Sequence, residues 1–113
     1  MACIFCQIAA GAIPAQIVYS SSDVTAFRDL SPQAPTHVLV IPNRHIESIA
    51  ELGAAEAELV GRLVAVANDV AQQEGIADSG YRIVANVGAH GGQTVPHLHL
   101  HVLGGRTMTW PPG

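Results

Sequence analysis

Apolar and polar residues alternate in a short stretch near the start of the chain. In Val24-Thr25-Ala26-Phe27-Arg28 apolar Val24 and Ala26 are separated by polar Thr25 and Phe27 is followed by Arg28, and residues 17–20 form a β-rich run just before it. Alternation of this kind fits half-buried strands. The turn formers Ser20-Ser21-Ser22-Asp23 between the two runs predict a hairpin. Upstream, residues 8–12 read as a short helical piece ended by Gly11 and Pro14.

The pattern then changes. Residues 29–36 carry Pro32 and Pro35 and predict a loop. His37-Val38-Leu39-Val40-Ile41 is a continuous apolar run stopped by Pro42, which suits a strand buried on both faces. Residues 45–52 predict a short helical turn. From 54 to 74 apolar residues recur at three- and four-residue steps. Leu59, Leu63, Val66 and Val70 make the stripe, and Val60, Val64 and Ala67 widen it. Gly75 is a natural stop. Gly61, within the helix, either tolerates its cost of about 1 kcal/mol or permits close approach of another backbone. Residues 81–87 read as a strand, 88–94 as a glycine-rich loop, and 97–103 as a last strand. Strands joined by hairpin-length connections around one main helix predict an α+β domain, a single unit over 1–113.

Composition narrows the class of ligand. Only 12% of residues are charged and 49% are hydrophobic, against about 25% charged in an average domain. Some apolar surface is therefore expected to meet a partner, most simply a second copy. The five cations are all arginine, dispersed along a chain of net charge −4. That excludes a duplex nucleic acid as the expected ligand and leaves room for a small phosphate. No stretch is apolar enough for a membrane span, and no secretory signal is visible, so a cytoplasmic location is expected. Cys3 and Cys6 form a C-x-x-C, which without a signal reads as a metal half-site, a redox pair or two plain thiols.

The chemistry concentrates in His97-Leu98-His99-Leu100-His101-Val102-Leu103. On a strand, the three histidines share one face and Leu98, Leu100 and Val102 the other. The leucine face can bury against the helix. Imidazoles this close resist protonation together, so some stay neutral and serve as nucleophile, base or metal ligand. Direct metal binding, a relay around one attacking ring, and a partly exposed polar face without chemistry all fit the bare residues. The glycine turn upstream suggests an anion nest.

This segment resembles the His-φ-His-φ-His-φ-φ signature of the histidine triad superfamily. Ile4-Phe5-Cys6, Ala12-Ile13-Pro14-Ala15, the run from Ala26 to His37, Val40-Ile41-Pro42-Asn43-Arg44-His45-Ile46, Gly91-Gly92-Gln93-Thr94-Val95 and the ending from Gly104 to Gly113, closing in Trp110-Pro111-Pro112-Gly113, resemble its Hint branch. The resemblance implies the HIT-like fold: about five antiparallel strands, one long helix and a short N-terminal helix. It also implies hydrolysis of purine nucleoside 5′-phosphoramidates such as AMP-amine conjugates, with no organic cofactor. His99 would be the nucleophile and would form a nucleotidyl-imidazole intermediate. His101 would hold the phosphoryl oxygens and help protonate the leaving amine. His37 and His97 would line the far side of His99 and orient it. Asn86, Gly92, Gln93 and Thr94 match phosphate-contact positions, Asp29 matches the ribose-binding position, and Ile4, Phe5, Ile8, Phe27 and Leu30 match the base pocket. Without the resemblance Asp29 reads as a loop cap and the apolar five as core.

Bacterial members of the family pair this cysteine motif with two histidines around zinc. Carried over, the ligands are Cys3, Cys6, His45 and His97, a closed structural shell. That competes with a relay role for His97. The family pattern also implies a homodimer, formed through the long helices and the 81–87 strands, with the Trp110 tail reaching toward the partner's site. Thr94, Pro96 and Thr109 depart from the usual serine, aromatic and histidine, which bears on substrate preference. Dinucleoside polyphosphate hydrolysis, or nucleotide binding with incidental turnover, are the competing functions.

Overall fold

Ser21 closes the first hairpin. Its hydroxyl accepts the Val24 N–H at 3.1 Å and donates to Asp23 at 3.0 Å, joining Ile17–Ser20 (β1) to Val24–Arg28 (β2). The computed structural model describes residues 3–113; Met1 and Ala2, at the start of the expected domain, lie outside the described residues. Thr36–Pro42 (β3) pairs antiparallel with β2, and every one of its residues is buried. The strand thus begins one residue inside the expected loop and includes Pro42. Leu100–Gly104 (β5) pairs with β3, and Tyr81–Val84 (β4) with β5, so the sheet runs β1-β2-β3-β5-β4, antiparallel throughout. The class is α+β.

Both strands of the last pair are shorter than their sequence patterns. β4 ends at Val84 rather than at residue 87, and β5 starts at Leu100 rather than at 97. The cause lies in the backbone before Leu100. The His97 N–H turns back to the Val95 carbonyl at 2.8 Å, and the Leu98 N–H goes to the Ile46 carbonyl at 2.6 Å. Amide groups committed there cannot extend the ladder, so β4 loses its partner.

The long helix is Ala57–Gln73 (α2), preceded by 3-10 turns at Ile49–Glu51 and Ala54–Glu56. Gly75 ends it at φ +74°. Leu63, Val66, Ala67 and Val70 are buried against Val38, Val40, Leu98, Leu100 and Val102. Val64 falls outside that face and is 40% exposed. Gly61 has no neighbour close enough to touch an added Cβ, so no backbone approaches it within the chain. A two-pronged Arg28–Glu74 pair, at 2.6 and 2.9 Å, ties the end of β2 to the end of the helix.

The N-terminal helix is Ile4–Ala9 (α1), four residues upstream of its expected start. Gly11 stops it as expected, at φ +74°. Six residues cannot make a stable helix alone. Tertiary packing supplies the difference: Phe5 is buried with Phe27, Leu39 and Ile41 on the sheet face opposite α2. The centre of the sheet is therefore covered on both sides, which explains the unbroken apolar run of β3.

Candidate active site

Alternation carries the triad to the α1 face even though only His101 lies on a strand. Leu98, Leu100 and Val102 join the core under α2. His97 and His99 face Phe5, whose ring meets theirs edge-on at centroid distances of 5.9 and 5.2 Å. Neither is on the surface: His97 is 0% and His99 5% exposed. His101 is half-buried, so the polar face is largely enclosed rather than open to solvent. No buried side-chain nitrogen or oxygen among the described residues lacks a partner.

Hydrogen bonds fix which ring nitrogens carry hydrogen. The His97 carbonyl lies 2.7 Å from His99 Nδ1 and can only accept. His99 therefore carries its hydrogen on Nδ1, and its Nε2 keeps a lone pair. His37 is set the opposite way. Its Nδ1 accepts the Gln33 peptide N–H at 3.0 Å, so the hydrogen of the neutral ring sits on Nε2. That Nε2–H donates to His101 Nδ1 at 2.9 Å, which leaves His101 with its own hydrogen on Nε2. The expectation put His37 beside His99; its ring pairs with His101 instead. β3 and β5 cause this, because His37 lies opposite Leu103, one same-face step from His101. Nor does the His97 ring line His99: its carbonyl does the orienting.

Burial disfavours charge on His37 and His101. It lowers the His101 pKa to about 4, with the nearby His99 and His37 adding to the effect. Burial also lowers His37, against an opposing pull from the Asp29 carboxylate. Asp29 Oδ2 stands 3.6 Å from His37 Nε2, while Oδ1 accepts the Ser31 N–H at 2.7 Å. The loop-capping and site-facing readings of Asp29 thus belong to different oxygens of one carboxylate.

A largely apolar cleft of about 220 Å³ opens in front of His99 and His101. Ile4, Phe5, Ile8, Phe27, Asp29, Leu30 and Thr94 line it with the two histidines. Leu30 is not core; it stands 95% exposed at the rim. Asn86, Gly92 and Gln93 do not line the cleft. Residues Gly88–Gly91 form a single helical turn (α3), closed by Gly92 at φ +78°. The Gln93 carboxamide accepts from the Gly88 N–H at 3.1 Å and donates to the Glu47 and Val95 carbonyls. The amides of Gly88, Gly92 and Gln93 all bond within this turn, so these three do not form the expected nest. Pro14, Ala15, Arg28, Leu39 and Val95 also line the cleft and are not among the expected site residues. Period-two spacing from His37 on β3 could have found Leu39. Larger surface depressions of about 340, 490 and 300 Å³ contain no histidine, and one of about 280 Å³ is lined by His45 but by none of the triad.

Behind His99 lies a second cluster. Cys3 Sγ is 3.4 Å and Cys6 Sγ 3.5 Å from His97 Nδ1, and Cys6 Sγ is 3.4 Å from His45 Nδ1. Both thiols are free, and the four ligand atoms lie within 4.8 Å of one another. His97 Nε2 donates to the Pro42 carbonyl at 2.9 Å, which places the Nδ1 lone pair among the thiols. The donor set fits a tetrahedral zinc ion. Asp29, His37 and His101 also gather within 4.8 Å. There the Gln33 N–H keeps hydrogen on His37 Nε2, the atom a metal would need.

Comparison with known proteins agrees with this geometry. The family model described as HIT domain matches residues 10–108. The purine nucleoside phosphoramidase of Escherichia coli K12 is 50% identical over 105 residues, covering 93% of this chain and 88% of that protein. The crystal structure of a HIT family hydrolase from Legionella pneumophila superposes with a TM-score of 0.97 at 51% identity, covering 99% of this chain and 100% of the other. A HIT family hydrolase from Clostridium thermocellum gives 0.92 at 43% identity, covering 95% and 93%.

Proposed function

The chain belongs to the HIT domain family, and from that premise we propose that it hydrolyses purine nucleoside 5′-phosphoramidates through a covalent intermediate on His99. One observation carries the reading: the His97 carbonyl holds hydrogen on His99 Nδ1, so that Nε2 offers a lone pair beside the cleft. In the first step His99 Nε2 bonds to the α-phosphorus. The P–N bond breaks, and its electron pair leaves with the amine nitrogen, which takes up a proton. Positive charge on the phosphorylated imidazole is eased by its Nδ1–H bond to the carbonyl. Water then attacks phosphorus and releases a proton to solvent, the P–Nε2 bond breaks with its electron pair returning to the ring, and a nucleoside monophosphate leaves.

His101 meets the phosphoryl oxygens with its Nε2–H. The amine takes its proton from water in the cleft, and His101 Nε2–H, bonded to the phosphoryl oxygens, eases the charge that builds there as the P–N bond breaks. Asp29 Oδ2 accepts from the ribose hydroxyls. Ile4, Phe5, Ile8, Phe27 and Leu30 hold the base, and Thr94 contacts the phosphate. Asn86, Gly92 and Gln93 support that contact by shaping the turn. The test is turnover of an adenosine 5′-phosphoramidate by the purified protein. His99→Ala is expected to lose at least about 10³-fold in rate; equal rates for the two proteins overturn the reading.

Cys3, Cys6, His45 and His97 would hold a structural zinc ion, pinning α1 to the segment before β5. Free thiols in this cluster suit the reducing cytoplasm. The protein would act as a homodimer. β4 is an unpaired sheet edge, and Ile83 on it is 36% exposed, like Val64 on α2 a large apolar group facing solvent. The exposed Trp110 tail would then lie near the partner's cleft.

A further inference from the structure

The polarity of His101 is set by a chain of donors that begins outside the cleft. Arg106 Nε donates to the Gln33 carbonyl at 3.0 Å, the Gln33 N–H donates to His37 Nδ1 at 3.0 Å, and His37 Nε2–H donates to His101 Nδ1 at 2.9 Å. Arg28, Arg44 and Arg62 pair with carboxylates. Arg82 and Arg106 have no such pair among the described residues; both point at backbone carbonyls, Arg82 at Thr109 and Arg106 with Nη1 donating to Thr107 O at 3.2 Å. The neighbour of Arg106 grips the same loop. Gly105 sits at φ +90°, and a Cβ there would lie 2.8 Å from Pro35 Cβ. The two residues after β5 therefore hold the 29–35 loop at two points flanking Ala34.

We propose that Arg106 is a positioning residue for the His37–His101 pair. By holding the Gln33 carbonyl it aims the Gln33 N–H at His37 Nδ1, and this keeps both rings in the tautomer that leaves a hydrogen on His101 Nε2. The other tautomer is blocked twice. Hydrogen on His37 Nδ1 would oppose the Gln33 N–H, and the bare His37 Nε2 would then face the His101 Nδ1 lone pair unless that ring flipped its hydrogen as well. A flipped His101 would offer a lone pair, not a donor, to an anionic phosphate. The geometry uses a guanidinium: Nε reaches Gln33 while Nη1 reaches Thr107, which one lysine ammonium cannot reproduce in the same fork.

The kinetic consequence rests on the phosphoramidate reading; the tautomer does not. Nitrogen NMR of histidine-labelled protein reads the tautomers directly. The wild type is expected to show hydrogen on Nε2 of His37 and of His101. Arg106→Ala is expected to give a mixture at both rings. Gln33→Pro, which deletes the N–H itself, should do the same, while Gln33→Ala, which keeps it, retains the wild-type tautomers. With an adenosine phosphoramidate, kcat of Arg106→Ala should fall about tenfold, a fraction of the loss on removing one transition-state donor, with KM within about twofold. Wild-type tautomers in Arg106→Ala overturn the proposal, whatever Gln33→Pro shows. Altered tautomers in a protein whose wild type hydrolyses no phosphoramidate support it and overturn the functional reading alone.

Discussion

His97 uses its backbone and its ring for different purposes. Its carbonyl accepts the His99 Nδ1–H at 2.7 Å, while its ring donates to Pro42 and turns Nδ1 toward the Cys3 and Cys6 thiols. The conflict between a relay role and a metal-ligand role for this residue therefore does not arise: the orienting group is a peptide oxygen that metal binding leaves free.

His97→Ala should separate the two uses. The variant keeps the carbonyl, so its turnover should stay well above that of His99→Ala. It also empties a fully buried site, at a cost of about 3 kcal/mol. Urea unfolding and single-substrate kinetics on the two variants check this.

Metal should matter to stability and not to the chemical step. The protein is expected to bind one zinc ion per chain, and Cys3→Ser or Cys6→Ser to bind none. Chelation should lower the Tm of the wild type and leave that of the cysteine variants unmoved. Activity measured well below the new Tm should be largely retained. Elemental analysis with thermal unfolding decides it.

Acid should destabilise the fold through its buried imidazoles. The His101 pKa falls from 6.5 to about 4 on folding, so between those values the unfolded chain binds the proton and the folded one does not. Stability is full above about pH 6.5 and declines as pH falls toward 4, by up to about 3 kcal/mol from this group at 1.36 kcal/mol per unit. His37 shifts in the same direction. Urea midpoints across pH 4–7 should show the decline, and His101→Asn should flatten it.

Asp29→Asn and Asp29→Ala should differ. The amide still accepts the Ser31 N–H and holds the turn, so stability should change by less than about 0.5 kcal/mol. Loss of the charge should raise KM for the nucleotide about tenfold, as for a charge-assisted hydrogen bond. The alanine variant should lose both the turn and the affinity. Thermal unfolding and KM measured side by side check it.

Val64→Glu combined with Ile83→Glu should convert a dimer into a monomer. Both side chains are apolar and exposed, and buried unpaired charge at an interface is strongly unfavourable. Light scattering coupled to size-exclusion chromatography reads the molar mass; an unchanged dimer would rule out this surface.

The chain's local patterns determined the hairpin, the buried strand at His37, the long helix, the α+β class and the sidedness of the triad. Each depends on periods of two or 3.6 residues, which steric rules impose within a few positions. Tertiary structure decided the rest. α1 starts at Ile4 because Phe5 finds Phe27 and Leu39, and β4 stops at Val84 because the amides before Leu100 go elsewhere. His37 meets His101 across 64 residues of sequence, and Arg106 reaches back to Gln33. Which nitrogen carries hydrogen depends on the partner each ring meets. Such partners come from strand register and loop packing, not from side-chain spacing along the chain.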